Sequence, residues 1–151
     1  MNSIDATPIP VIITVRGEQY FDGVDPDATE LMTEGTLTAT GDELRISYEE
    51  TALTGMEGTT TTFTVRGPRV ILSRTGTVNS QMVFEEGRRH LSMYETPYGS
   101  MSVGINTRRV KSTIGETGGD LEIDYAIEID NLMVGRNYFS MNVKRDTALK
   151  Q

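Results

Sequence analysis

Asp120-Leu121-Glu122-Ile123-Asp124-Tyr125-Ala126-Ile127-Glu128-Ile129-Asp130 is the stretch that decides how this chain folds. Every odd position is apolar, and every even one except Ala126 is acidic. A helix would spread these residues around its circumference. A strand sorts them into one dry face and one wet face, because successive side chains point to opposite sides. The same alternation, less pure, runs outward from this segment. Ile9, Val11, Ile13 and Val15 mark an early strand, and Leu44, Ile46 and Tyr48 alternate with Arg45, Ser47 and Glu49. The Thr-rich piece 59–64 continues into Phe63 and Val65 and reads as a polar-faced strand, since threonine is β-branched. Val70 and Leu72 lead to Arg74, and Val78, Met82 and Phe84 share the next parity. Leu91 and Met93 follow, then Met101, Val103 and Ile105, and last Phe139, Met141 and Val143.

Turn residues separate these runs: Gly41-Asp42, 55–58, Gly67-Pro68, Gly76, Gly87, Pro97-Tyr98-Gly99, 115–119 and Gly135. Residues 18–30, with Gly23 and Pro26, read as a long connection carrying one helical turn. Between Ile105 and Val110 the apolar parity switches from odd to even, which predicts a β-bulge or bend. A final hairpin turning at Met133 sets Asp130 beside Arg136, Glu128 beside Tyr138, Asp124 beside Asn142 and Glu122 beside Lys144. Short connections between one-sided strands favour an antiparallel meander, and closure removes its exposed edges. The expected fold is all-β: a single closed antiparallel β-barrel of about eight to ten strands with a dry interior. A β-sandwich is the alternative.

Composition sets bounds on function. The chain has 151 residues, which predicts one domain over 1–151 with a core of about 8–145. With 36% hydrophobic residues it can bury a core. It has no cysteine, hence no disulfide, thiolate metal site or cysteine nucleophile, and its one histidine, His90, excludes any site needing two imidazoles. No run of about 20 apolar residues is present, and the first residues lack the basic and apolar regions of a signal sequence. A cytoplasmic setting is expected. Lys+Arg total 14 against 22 Asp+Glu, a net charge of −8 that repels nucleic acid and anionic membranes alike. The pairs Arg88-Arg89 and Arg108-Arg109 fall in segments that read as strand, so each is expected to split between two faces.

The centre of the chain carries a more specific signal. Arg74-Thr75-Gly76-Thr77-Val78, Gln81-Met82-Val83-Phe84-Glu85-Glu86-Gly87 and Tyr94-Glu95-Thr96-Pro97-Tyr98-Gly99 occur in that order, with Thr107 following. This order and spacing over residues 70–110 resemble the YwiB-like family of small bacterial proteins, a domain family of unknown function. Weaker similarity extends over nearly the whole chain. The resemblance implies a calycin-like, lipocalin-like β-barrel and brings no catalytic residue, ligand or partner.

Arg74 is the most informative single residue. If Val70 and Leu72 face the interior, so does Arg74, near a strand end, where a guanidinium needs a partner. That partner is either an anionic group of a ligand or a structural carboxylate. Met82, Met93, Met101 and Met141 fall on inward parity, where thioethers line adaptable pockets or fill gaps. Tyr48 and Tyr125 are also inward and need hydroxyl partners. A ligand site is therefore expected at Arg74, Tyr48, Met82, Phe84, Met93, Met101 and Tyr125.

No catalytic set is expected. His90 precedes inward Leu91 and so reads as an exposed, uninvolved imidazole, with no nucleophile elbow, phosphate loop or metal motif beside it. The acidic row 120–130 reads as a solvated face. Alternate strand residues about 6.5 to 7 Å apart do not readily wrap one ion. No metal or cofactor is expected. The favoured function is binding of a small amphipathic or apolar ligand inside the barrel. The alternative is a filled barrel acting as an interaction or oligomerisation module, with an enzyme of unrecognised type last.

Overall fold

The computed structural model describes residues 7–20, 25, 27–77, 79–96 and 98–147, the side chains of 94–96 excepted. Val78 and Pro97, used above, lie outside them. Ten strands follow in chain order: β1 (Ile9–Tyr20), β2 (Asp27–Thr40), β3 (Glu43–Glu49), β4 (Thr59–Arg66), β5 (Arg69–Gly76), β6 (Ser80–Glu85), β7 (Arg89–Thr96), β8 (Gly99–Ser112), β9 (Gly118–Ile129) and β10 (Leu132–Arg145). A 3-10 turn spans Ala52–Thr54 in the β3–β4 connection. All ladder pairings are antiparallel, in the order β6-β5-β4-β3-β2-β1-β10-β9-β8-β7. The first strand pairs with the last, and the two edge strands, β6 and β7, are consecutive in the chain. The sheet is a nearly closed barrel, and no described helix is long and apolar enough to cross a membrane.

Parity puts the expected residues inside. Val11, Ile13, Leu37, Ile46, Phe63, Val70, Phe84, Ile105, Leu121, Ile123, Met141 and Val143 are fully or nearly fully buried. They stack in cross-strand rows such as Ile46–Phe63–Leu72–Met82 across β3 to β6. Phe63 stacks on Phe139 from the opposite wall at 5.2 Å, and Phe84 meets Tyr125 edge-on at 4.8 Å. These aromatic contacts fill the middle of the barrel. Met82 and Met101 are half-buried against this core.

The barrel closes without a full β6–β7 ladder. The turn between those strands docks instead on β8: Gly87 N donates to Thr107 O at 2.9 Å, Thr107 N to Arg88 O at 3.1 Å, and Val110 N to a Glu86 carboxylate oxygen at 2.9 Å. The expected bulge lies at this place, between Thr107 and Arg109.

Four expectations are corrected. In β7 the parity is opposite to the one read: His90 and Ser92 pair with buried Ile105 and Val103 and face inward, while Leu91 and Met93 face out, 60% and 65% exposed. The reason is the seam. His90 Nε2 lies 3.1 Å from a Glu85 carboxylate oxygen, and Ser92 Oγ donates to Gln81 O, so polar residues face β6. His90 is thus half-buried and engaged, and its hydrogen bond is the main cause holding the Glu85 carboxyl below the usual range. The last hairpin turns earlier than expected, at Asp130-Asn131, both with left-handed φ (50° and 70°) of the kind these residues tolerate in tight hairpins. With an irregularity between Met133 and Gly135, the register becomes Asp124 opposite Tyr138, Glu122 opposite Ser140 and Asp120 opposite Asn142. The 18–30 segment is mostly strand, since β1 runs to Tyr20 and β2 begins at Asp27; 21–24 and 26 lie outside the described residues. The fourth concerns the arginine pairs, of which Arg88, Arg89 and Arg108 gather on one hollow of the barrel wall.

Candidate functional site

The inward rows turn polar toward one end of the barrel. Above the Ile46–Phe63 layer, Tyr48, Thr61 and Arg74 stand in register across β3, β4 and β5. On the facing wall the row is Tyr125, Asn137, Gln19 and Asp27, across β9, β10, β1 and β2. Between these rows lies an open cleft of about 800 Å³. Val15, Leu31, Phe139 and Tyr125 supply apolar wall, and Leu53 and Met56 from the β3–β4 connection overhang it.

Arg74 and Tyr48 meet a residue the sequence reading stopped one position short of. Glu50 continues the inward parity of Leu44, Ile46 and Tyr48, because its N–H still pairs with Thr59 O at 2.8 Å beyond the end of β3. Its side chain is 2% exposed and lies 3.9 Å from Arg74 Nε, whose own side chain is 23% exposed. Thr54 Oγ1 donates to one carboxylate oxygen at 3.0 Å and Thr61 Oγ1 to the other. Glu50 is therefore well solvated by the protein, whereas Arg74 Nε is buried with no hydrogen-bond partner. Burial pushes the Tyr48 phenol up to about 12, with Glu50 adding to the shift and Arg74 opposing it. Tyr48 is thus a neutral hydroxyl at any physiological pH.

Of the expected site residues, the structure brings Arg74, Tyr48 and Tyr125 together in the cleft. Phe84, Met82 and Met101 lie in or against the core, with Phe84 backing Tyr125. Met93 is on the outside. The carboxylates of the 120–130 row are held by neighbours on the outer face: Asp120 accepts from Asn142, Glu122 from Tyr138, Asp124 from Arg136 and Glu128 from Arg89 and Asn106.

The arginine pairs do not simply split between faces. Arg88 sits in the β6–β7 turn and Arg108 at the β8 bulge, so neither follows regular strand alternation. Arg88, Arg89, Arg108 and Arg136 line one hollow of about 380 Å³ on the barrel wall.

An up-and-down antiparallel barrel with one polar-lined open end is the architecture these observations define, and comparison with known proteins places it. Residues 13–141 match the model of the family described as a domain of unknown function, DUF1934, and the chain belongs to that family. It is also similar to the solved crystal structure of the YwiB protein from Bacillus subtilis, with a TM-score of 0.80 at 20% identity over 94% of this chain and 96% of that one. At that identity the likeness speaks to the fold. No curated protein matches the sequence.

Proposed function

We propose that this barrel binds a small amphipathic molecule in the cleft at its open end, with Arg74 and Tyr48 meeting the polar head and Tyr125, Phe139, Leu31 and Val15 the apolar body. The observation that carries this reading is the buried Arg74 Nε without a hydrogen-bond partner, at the edge of a cleft of about 800 Å³. Cavities of about 300 to 1,000 Å³ with a few polar groups set in an apolar wall are the usual form of small-molecule sites. Glu50 already balances the charge of Arg74, so the head group needs to be a hydrogen-bond acceptor rather than a strong anion.

The neutral amphipathic dye Nile red, whose carbonyl oxygen is a hydrogen-bond acceptor, is a suitable probe. The native protein is expected to bind it at one per chain with enhanced fluorescence. Leu31→Trp fills the cleft without touching the Arg74–Glu50 pair, and should weaken binding by about tenfold or more. Arg74→Met should weaken it comparably. Unchanged affinity in Leu31→Trp, at preserved thermal stability, would overturn the reading.

The alternative, an interaction module, draws on Leu91 and Met93, which point outward from edge strand β7. Apolar side chains on an unpaired edge favour association. On that reading the protein dimerises with rising concentration, and Leu91→Lys abolishes the dimer in sedimentation.

A further inference from the structure

The hollow on the outer wall differs in chemistry from the cleft. Its floor is the cross-strand row Arg89, Asn106, Ala126 and Arg136 over β7 to β10, in which two short side chains lie between two long cationic ones. The floor is low because Asn106 and Ala126 are small, and Arg89 and Arg136 rise at either end. Arg108 enters from the bulge and Arg88 from the turn docked on it, so both are placed by the device that closes the barrel. Four guanidiniums and one carboxylate, Asp124, line about 380 Å³ of space. In a chain of net charge −8, so local an excess of positive charge runs against composition.

The four arginines are not equally occupied. Arg136 is held by both oxygens of Asp124 at 3.4 Å, and Arg89 by Glu128 at 3.1 Å and Asn131 at 3.2 Å. These contacts fix the two end arginines and leave each with free N–H groups. Among the described residues, Arg88 and Arg108 form no ion pair, and both are exposed. A planar carboxylate is satisfied by the two parallel N–H groups of one guanidinium fork. A phosphoryl group offers oxygens in a tetrahedral array and about two charges, which several guanidiniums approaching from different sides can share. The space is too small for a nucleic acid strand, which needs an extended basic track, and the acidic surroundings oppose one.

We propose that this hollow binds the phosphoryl group of a small phosphorylated molecule, with Arg88 and Arg108 as its free cations and Arg89 and Arg136 as its pre-oriented ones. The probe is inorganic pyrophosphate at low ionic strength, followed by amide chemical shifts. Saturable binding is expected, with the largest changes at residues 87–89, 106–108, 126 and 136. Arg88→Gln/Arg108→Gln should lower affinity about tenfold or more at nearly unchanged melting temperature, because both side chains are exposed and neither forms an ion pair among the described residues, Arg88 adding only the smallest of the effects that lower the Glu85 carboxyl. Arg45→Gln/Arg66→Gln alters net charge equally on another part of the surface and should retain binding within about twofold. The proposal is overturned if pyrophosphate shows no saturation, if both double variants lose affinity alike, or if citrate binds as tightly as pyrophosphate. The first result denies a site, the second reduces it to overall charge, and the third denies the phosphoryl class.

Discussion

Gly35→Ala is expected to destabilise the barrel by about 3 kcal/mol or more, a large effect for one added methyl group. Gly35 lies on the inward parity of β2, opposite Val11, just before the β2–β3 ladder begins at Thr36–Ser47. A Cβ there would sit 2.3 Å from Ser47 O, 2.6 Å from Ile13 Cδ1 and 3.1 Å from Tyr48 Cβ. The first of these is a backbone oxygen and cannot swing aside as a side-chain tip can. Relief requires β3 to move off β2, which carries Tyr48 and Glu50 with it. The effect should therefore appear twice, as a lowered urea midpoint and as weakened dye binding in the molecules that remain folded. Gly17→Ala is the control: its Cβ would meet only Thr29 Oγ1, at 3.6 Å, and stability should change by less than about 0.5 kcal/mol.

Glu50→Ala is expected to cost about 3 kcal/mol. It removes the acceptor of fully buried Thr61 Oγ1 and of Thr54 Oγ1, and it leaves Arg74 three-quarters buried without a counter-charge. Glu50→Gln keeps one oxygen as an acceptor and should cost less, about 1 kcal/mol. The double variant Glu50→Ala/Arg74→Met should be more stable than Glu50→Ala alone, because the unpaired charge is gone and an apolar side chain takes its volume. Urea titrations of the native protein, these three variants and Arg74→Met alone measure this directly. Additive losses in the double variant would mean that the two side chains are not coupled.

Much of the barrel was legible because β-structure with one buried face writes a period of two into the chain. Leu121 and Ile123, Val11 and Ile13, Ile46 and Phe63 all stand where alternation puts them, and the parity switch after Ile105 marked the bulge. Alternation failed where another force set the facing. In β7, cross-seam hydrogen bonds from His90 and Ser92 outweighed the burial of Leu91 and Met93. In the last hairpin, the left-handed tolerance of Asp130-Asn131 set the turn, and the irregularity near Gly135 shifted the register. The site was half legible. Parity alone sent Arg74, Tyr48 and Tyr125 to one compartment, and the same parity extended by one residue reaches Glu50. Gln19, Asn137 and Asp27 on the facing wall were not visible, because strand order, which sets β1 between β2 and β10, is a long-range property. The grouping of Arg88 with Arg108 and Arg136 was hidden for the same reason.

The central claim is that the open end of the barrel is a ligand site built around Arg74. Native mass spectrometry of protein purified rapidly from cells, without detergent or denaturation, tests it most directly. A small-molecule adduct at one per chain, absent from Leu31→Trp and Arg74→Met prepared in parallel, is the result predicted. An adduct-free native protein that also fails to take up amphipathic compounds added in solution would contradict it.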